Sequence, residues 1–152
     1  MSDVYRQAAA ILVLRPVSTG HQILLLHKPR RRDSWQIPQG GMETGEDVEM
    51  AAIRELQEEA GLTGCRVLGQ SAKLYQYEFP QSFRRFRPDH IKGQQIRFVY
   101  ALAPENAVVH VDNNEIDGHT WVEKGQLSKY LKRKEYLGLV NDLYDEALAL
   151  LK

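Results

Sequence analysis

The stretch GGMETGEDVEMAAIRELQEEAGL, residues 40–62, sets a glycine turn ahead of a single helix that carries more carboxylate than an ordinary helix face tolerates. Thr44, followed three residues later by Asp47, reads as a capping-box start with Asp in place of the usual Glu, and Gly61 as the left-handed stop. The helix is therefore expected to run from about Gly45 to Ala60. At roughly 100° per residue, Glu55, Glu58 and Glu59 fall within an arc of about 100°, while Ala52, Ile53, Leu56 and Ala60 gather on another side. One face is core and its neighbour is acid. Three carboxylates that close would raise one another's pKa unless a hard divalent cation keeps them ionised through oxygen coordination, and magnesium is the economical choice. Arg54 precedes Glu58 by four residues and can pair with its carboxylate, holding its orientation. A merely solvated helix would alternate charge sign, whereas seven acids between Glu43 and Glu59 here face one arginine.

The specified positions are Gly40, Glu46, Arg54, Glu55, Leu56, Glu58, Glu59, Gly61 and Leu62. A chance match to all of them is on the order of one in a billion per starting position. This spacing resembles the Nudix box: glycine, five residues, Glu, seven residues, Arg-Glu, an aliphatic, any residue, Glu-Glu, any residue, glycine and an aliphatic. The resemblance implies an α/β (α+β) fold, an α/β/α sandwich with a mixed central sheet covering nearly the whole chain. It also implies an enzyme that hydrolyses compounds in which a nucleoside diphosphate is linked to another group, using Mg²⁺, with Mn²⁺ as a substitute. Carried onto these residues, Glu55 and Glu59 become metal ligands, Glu58 a ligand or base, and the Gly40 carbonyl a further ligand.

Length and composition suit a small enzyme. At 152 residues with 43% hydrophobic content, the chain is expected to form one domain, residues 1–152, with a real core. No linker, repeat or low-complexity tract is visible. Cys65 is the only cysteine, which excludes an intrachain disulfide or a cysteine-based zinc cluster and suits a reducing compartment. No segment approaches the roughly 20 apolar residues that span a bilayer, so a soluble, cytoplasmic protein is expected, with no obligate protein partner evident. The five histidines are scattered and read as solvated or hydrogen-bonded side chains.

Outward from the box, Ala8 to Leu14 and Gln22 to His27 read as paired strands separated by Ser18, Thr19 and Gly20. Val67 to Phe79 and Ile96 to Leu102 read as further strands, and His119 to Glu123 as a last short one. Glu135 to Leu151 has apolar residues at 136, 140, 143, 147 and 151, the period of a surface helix. Strands interleaved with helices give an α/β or α+β sandwich.

The zero net charge argues against a protein that coats nucleic acid, but basic groups flank the acidic box. Arg30, Arg31 and Arg32 precede it, and Arg84, Arg85, Arg87 and Lys92 follow the next strand. A polyphosphate needs both signs: a cation at the phosphates being cleaved and arginine forks on those that are not. These arginines read equally well as a solvated surface.

Ser34-Trp35-Gln36-Ile37-Pro38-Gln39-Gly40-Gly41 is similar to the SWQxPQGG lead-in shared by the RNA pyrophosphohydrolase and diadenosine tetraphosphate hydrolase branch of that family. Tyr77-Glu78-Phe79-Pro80, then Arg85, then Gly93-Gln94, and Leu131 to Tyr136 are similar to other stretches of the same branch. Ile96 stands where a second glutamine is expected, and Leu131 where an aromatic is expected. The resemblance implies substrate contacts from Lys28, Arg32, Gln39, Tyr77, Arg85, Gln94, Lys132 and Arg133. Trp35 reads either as a core anchor or as a stacking surface for a base.

One more acid lies outside the box. On sequence alone Glu115, in the turn-rich Asn113-Asn114-Glu115-Ile116-Asp117-Gly118, is an exposed loop residue. The family, however, places a metal-binding or base glutamate in a loop of the form PEFDGW, and EIDGHTW matches it through Glu115, Asp117, Gly118 and Trp121. Glu115 is thus a candidate ligand or general base, beside Glu58, with Arg54 supporting the catalytic set. The implied substrate is the 5'-triphosphate end of RNA, with a dinucleoside polyphosphate as runner-up. Free nucleoside triphosphates, or a non-catalytic nucleotide-binding module, are further alternatives.

Overall fold

The computed structural model describes residues 5–29, 34–79 and 91–151. Its centre is β1 (Tyr5–Val17), which turns back into β2 (Gly20–His27) as an antiparallel hairpin with Leu14 opposite Ile23. On its other side β1 pairs in parallel with β6 (Gly93–Leu102), from Tyr5 opposite Gly93 to Leu14 opposite Leu102. Antiparallel neighbours complete the sheet: β5 (Arg66–Glu78) lies on β6, and β7 (Gly118–Val122) and the two-residue β3 (Trp35–Gln36) lie on β2. The three-residue β4 (Gln39–Gly41) pairs with β1, placing Gly40 opposite Ala9. The sheet is mixed, as expected. No helix of the described residues is long and apolar enough to cross a membrane.

Ala8 to Leu14 is buried without interruption because both faces of the sheet are covered. Alternate residues serve opposite layers. Ala8, Ala10, Leu12 and Leu14 join Ile96, Phe98 and Tyr100 beneath α3 (Lys134–Leu150), which contributes Tyr136, Val140, Leu143 and Ala147. Ala9, Ile11 and Val13 join Leu24, Leu26 and Val99 beneath α1 (Val48–Ala60), which contributes Ala51, Ala52, Leu56 and Ala60. Three alanines among those four let α1 approach the sheet closely. A 3₁₀ turn (Lys124–Gln126) and the one-turn α2 (Leu127–Tyr130), neither expected from sequence, lead into α3. The apolar period from 136 to 147 faces the core, while Leu151 is half-buried past the helix end.

Two expectations about α1 are corrected. The helix starts at Val48, not near Gly45, and its N-cap is Asp47, whose carboxylate accepts the Met50 N–H at 2.8 Å, rather than Thr44. Gly45 sits at φ +87°, outside helical space, in a turn closed by Glu46 N–H to the Glu43 carbonyl. Ile53, expected on the core face, is 41% exposed, while Ala51, on the opposite flank of Ala52, is buried: the contact stripe is rotated slightly away from Ile53. The stop is as expected: Gly61 is left-handed at φ +64° and donates to the Gln57 carbonyl.

The lead-in to β4 is tied to both layers. Ile11 N–H donates to the Pro38 carbonyl, and Ile37 N–H donates to the buried Tyr136 hydroxyl at 3.1 Å. Tyr136→Phe leaves that amide unpaired, and the expected loss is about 1–3 kcal/mol. A urea titration checks it through a lower midpoint at unchanged slope.

Candidate active site

Arg54, on the second turn of α1, is the hub of the acidic cluster. It grips Glu46 with two donors, Nε to Oε2 at 2.6 Å and Nη2 to Oε1 at 2.9 Å. Nη1 donates to Glu55 and to Glu58, each at 2.9 Å, and Nη2 reaches the Gly41 carbonyl at 2.9 Å. The i,i+4 pairing with Glu58 is as the spacing suggested. The role of Glu46 was not read from sequence. Its carboxylate also accepts the Glu43 N–H, and Arg54 beside it holds its pKa down to about 2. The same carboxylates push the guanidinium pKa upward.

Behind this half-buried pair of charges lie two acids whose carboxyls burial pushes upward. Burial raises the Glu55 carboxyl, helped by the charges of Glu58 and Glu115 and opposed by Arg54. Glu59 is 3% exposed, accepts the Gln39 N–H at 3.1 Å, and is pushed up to about 8. Burial is the main cause, Glu55 and Glu115 add to it, and the Gln39 amide and Lys28 oppose it. Glu55, Glu58 and Glu115, with Glu43 and Asp112, line an open cleft of about 390 Å³ facing Arg54 and Arg6.

Among the described residues no three acid, histidine or cysteine side chains already close around one point; the Arg54 guanidinium stands between Glu55 and Glu58 instead. The donor set nonetheless suits a hard divalent cation. It is all carboxylate oxygen with an excess of negative charge, and at Gly40 a Cβ would overlap the Glu55 carboxyl group, so that strand and acid meet only because the side chain is missing.

The raised Glu59 carboxyl has a consequence for stability. With no cation bound, the folded protein holds a proton there that the unfolded chain releases near 4.5, so the folded state binds more protons between about 4.5 and 8. Stability is therefore expected to fall as pH rises through that window, and added Mg²⁺ to flatten the slope. Denaturant titrations at the two ends of the window, with and without the ion, check this.

The remaining candidates are placed unevenly. Tyr77 and Gln94 are cross-strand partners, with Gln94 Nε2 donating to the Tyr77 hydroxyl at 3.0 Å. Gln94 Oε1 in turn accepts from Arg6 Nη1 at 3.3 Å, so these side chains form a row that ends in the cleft. Arg6 was missed in the sequence. Its guanidinium lies over Gly41, where a Cβ would overlap it, and its only local signal is a basic residue just before the apolar run of β1. Lys28 is close enough to Glu59 to act on its charge. Gln39 contributes its backbone N–H. Lys132 and Arg133 are exposed at the α2–α3 junction, and Arg133 lies 5.5 Å over the Tyr136 ring rather than along the cleft. Arg32 and Arg85 lie outside the described residues, as do Arg30, Arg31, Arg84 and Arg87. Trp35 is half-buried at the margin of the core, edge-on to Tyr130 at 5.3 Å and tilted against His27 at 4.9 Å.

The fold is thus an α+β scaffold, a mixed sheet between helical layers, with an acid-lined cleft where one helix meets a glycine strand. Residues 4–143 match the family model described as NUDIX domain. The chain is 30% identical over 146 residues to the RNA pyrophosphohydrolase of Rhodospirillum rubrum, covering 91% of this chain and 87% of that one. It is 31% identical over 139 residues to the RNA pyrophosphohydrolase of Aliivibrio fischeri, covering 87% and 79%. In fold it is similar to a C. elegans Ap4A hydrolase crystallised as a binary complex, with a TM-score of 0.76 at 21% identity over 95% of this chain and 98% of that one. The chain belongs to the Nudix family, and it is a hydrolase acting on pyrophosphate bonds. Members of the family generally need divalent metal ions, usually Mg²⁺.

Proposed function

We propose that this protein is a Mg²⁺-dependent pyrophosphohydrolase acting on the 5'-triphosphate end of RNA. Water attacks phosphorus and an anhydride P–O bond breaks: one such hydrolysis releases pyrophosphate, or two in succession release two phosphates, and either course leaves a 5'-monophosphate end. The observation that carries this reading is the meeting of Glu55 and Glu59 with the Gln39–Gly40 strand beside a cleft lined by Glu58 and Glu115, in a chain whose relatives at 30–31% identity are named RNA pyrophosphohydrolase. Those four carboxylates and the Gly40 carbonyl would hold the metal, with Mn²⁺ able to replace Mg²⁺. When bound, such ions acidify a coordinated water and offset charge on the leaving phosphate.

The side chains of the site also bind substrate, hold one another and move the proton. Glu58 or Glu115 takes the proton from water, and Arg54 holds Glu58 in place. Lys28, Arg32, Gln39, Tyr77, Arg85, Gln94, Lys132 and Arg133 are assigned to the substrate, with Arg6 added from its place in the cleft. A cytoplasmic site of action belongs to this reading, since RNA ends are met there.

The second reading is asymmetric cleavage of a dinucleoside polyphosphate such as diadenosine tetraphosphate. It is kept open by the Ser34–Gly41 lead-in, which is similar to one shared by both branches, and by Leu131, which is 3% exposed and leaves no aromatic where a base of either substrate would be met. Turnover of triphosphorylated RNA, diadenosine tetraphosphate and free nucleoside triphosphates, compared side by side with Mg²⁺, separates the readings. RNA is expected to be fastest. A clear preference for the dinucleotide moves the assignment to the second reading, and equal rates on all substrates overturn the ranking.

A further inference from the structure

Glu115 sits on an exposed loop, yet the backbone on both sides of it is tied down. Upstream, one oxygen of Asp112 accepts the Asn114 N–H at 3.0 Å and the Ile116 N–H at 2.9 Å, the amides immediately before and after Glu115. Asn113 N–H closes the turn onto the Ile116 carbonyl at 2.9 Å, with Asn113 left-handed at φ +59°, a conformation asparagine tolerates. Downstream, the Ile116 side chain is fully buried beneath α1. Asp117 N–H donates to the His27 carbonyl at 3.1 Å, and the Asp117 carboxylate meets His27 Nδ1 at 2.7 Å. The loop is therefore pinned to β2 and to the core just past Glu115, and folded around the Asp112 carboxylate just before it.

Asp112 also lines the cleft, where a fifth acid invites a reading as one more metal ligand. Its hydrogen bonds point elsewhere. An oxygen that accepts two amides flanking a neighbouring residue sets that residue's backbone, and through it the place of the side chain. We propose that Asp112 is a positioning residue for Glu115: it acts through the loop backbone, by oxygen geometry rather than by charge, and not by contact with metal or substrate. This rests on the reading above that Glu115 takes part in hydrolysis.

Two substitutions separate geometry from charge. Asp112→Asn keeps an acceptor oxygen at the same place and removes the charge, whereas Asp112→Glu keeps the charge and displaces the oxygen by a methylene. The expected result is near-wild-type kcat for Asp112→Asn and, for both Asp112→Glu and Asp112→Ala, a kcat lowered by up to about 100-fold with KM unchanged, the scale of a misplaced catalytic group. Each impaired variant is then combined with Glu115→Gln. If Asp112 works through Glu115, neither adds a further loss in that background. Thermal unfolding of each variant confirms folding, and Asp112→Glu carries the cycle if Asp112→Ala does not fold. The proposal is overturned if Asp112→Asn is as impaired as Asp112→Ala, or if the Asp112 losses recur in full on top of Glu115→Gln; both results leave the Glu115 reading standing. Wild-type turnover in Glu115→Gln itself removes that reading, and the proposal with it.

Discussion

Glu58→Gln is expected to lower kcat by a factor on the order of 10² to 10⁴ while leaving the fold intact. The side chain is 56% exposed, and its recorded partner is Arg54 at 2.9 Å, to which an amide oxygen can still accept. Little packing changes, so thermal unfolding should match the wild type. What disappears is the negative charge and the ability to take a proton. Metal binding measured by calorimetry should weaken in parallel, since an amide oxygen is a poorer donor to a hard cation than a carboxylate. A variant with wild-type turnover would remove Glu58 from the site.

Gly40→Ala is the second large effect, and it works by displacement. The new Cβ would overlap the far end of the Glu55 side chain, which can swing away, so the chain should still fold. Glu55 cannot swing without breaking its 2.9 Å contact with Arg54 and leaving the strand whose carbonyl is assigned to the same ion. A loss of activity of about 100-fold is expected, the scale for a displaced group near the chemistry. Retained activity would mean that the close meeting of Gly40 and Glu55 is incidental.

The parts of this molecule visible in its sequence are those whose signal is local. The α1 acid face, its Gly61 stop and the apolar runs of β1 and β6 are set by neighbours within a few residues, and all stand where the pattern put them. The start of α1 was not visible, because Thr44 and Asp47 offer equivalent caps and only the left-handed turn at Gly45 decides between them. Glu46 was visible as a motif position but not as a clamp, since its partner lies eight residues away across a turn rather than one helical turn along. Arg6 was hidden for a stronger reason: it enters the cleft through strand pairing with a segment far along the chain, which no window of sequence contains. Ile53 shows the opposite failure, where an apolar residue at nearly the right angle is left in solvent by a small rotation of the contact stripe.

The parallel union of β1 with β6 also governs when the catalyst can exist during synthesis. Tyr5 emerges from the ribosome early, but its partner Gly93 follows only after the box helix is complete. A nascent chain holding residues 1–62 thus carries three of the four carboxylates proposed to hold the cation and lacks the strand that pairs with the other edge of β1. Such long-range pairing delays folding relative to locally paired elements. Hydrolytic competence should accordingly switch on late in translation, after β6 and the Glu115 loop have cleared the exit tunnel.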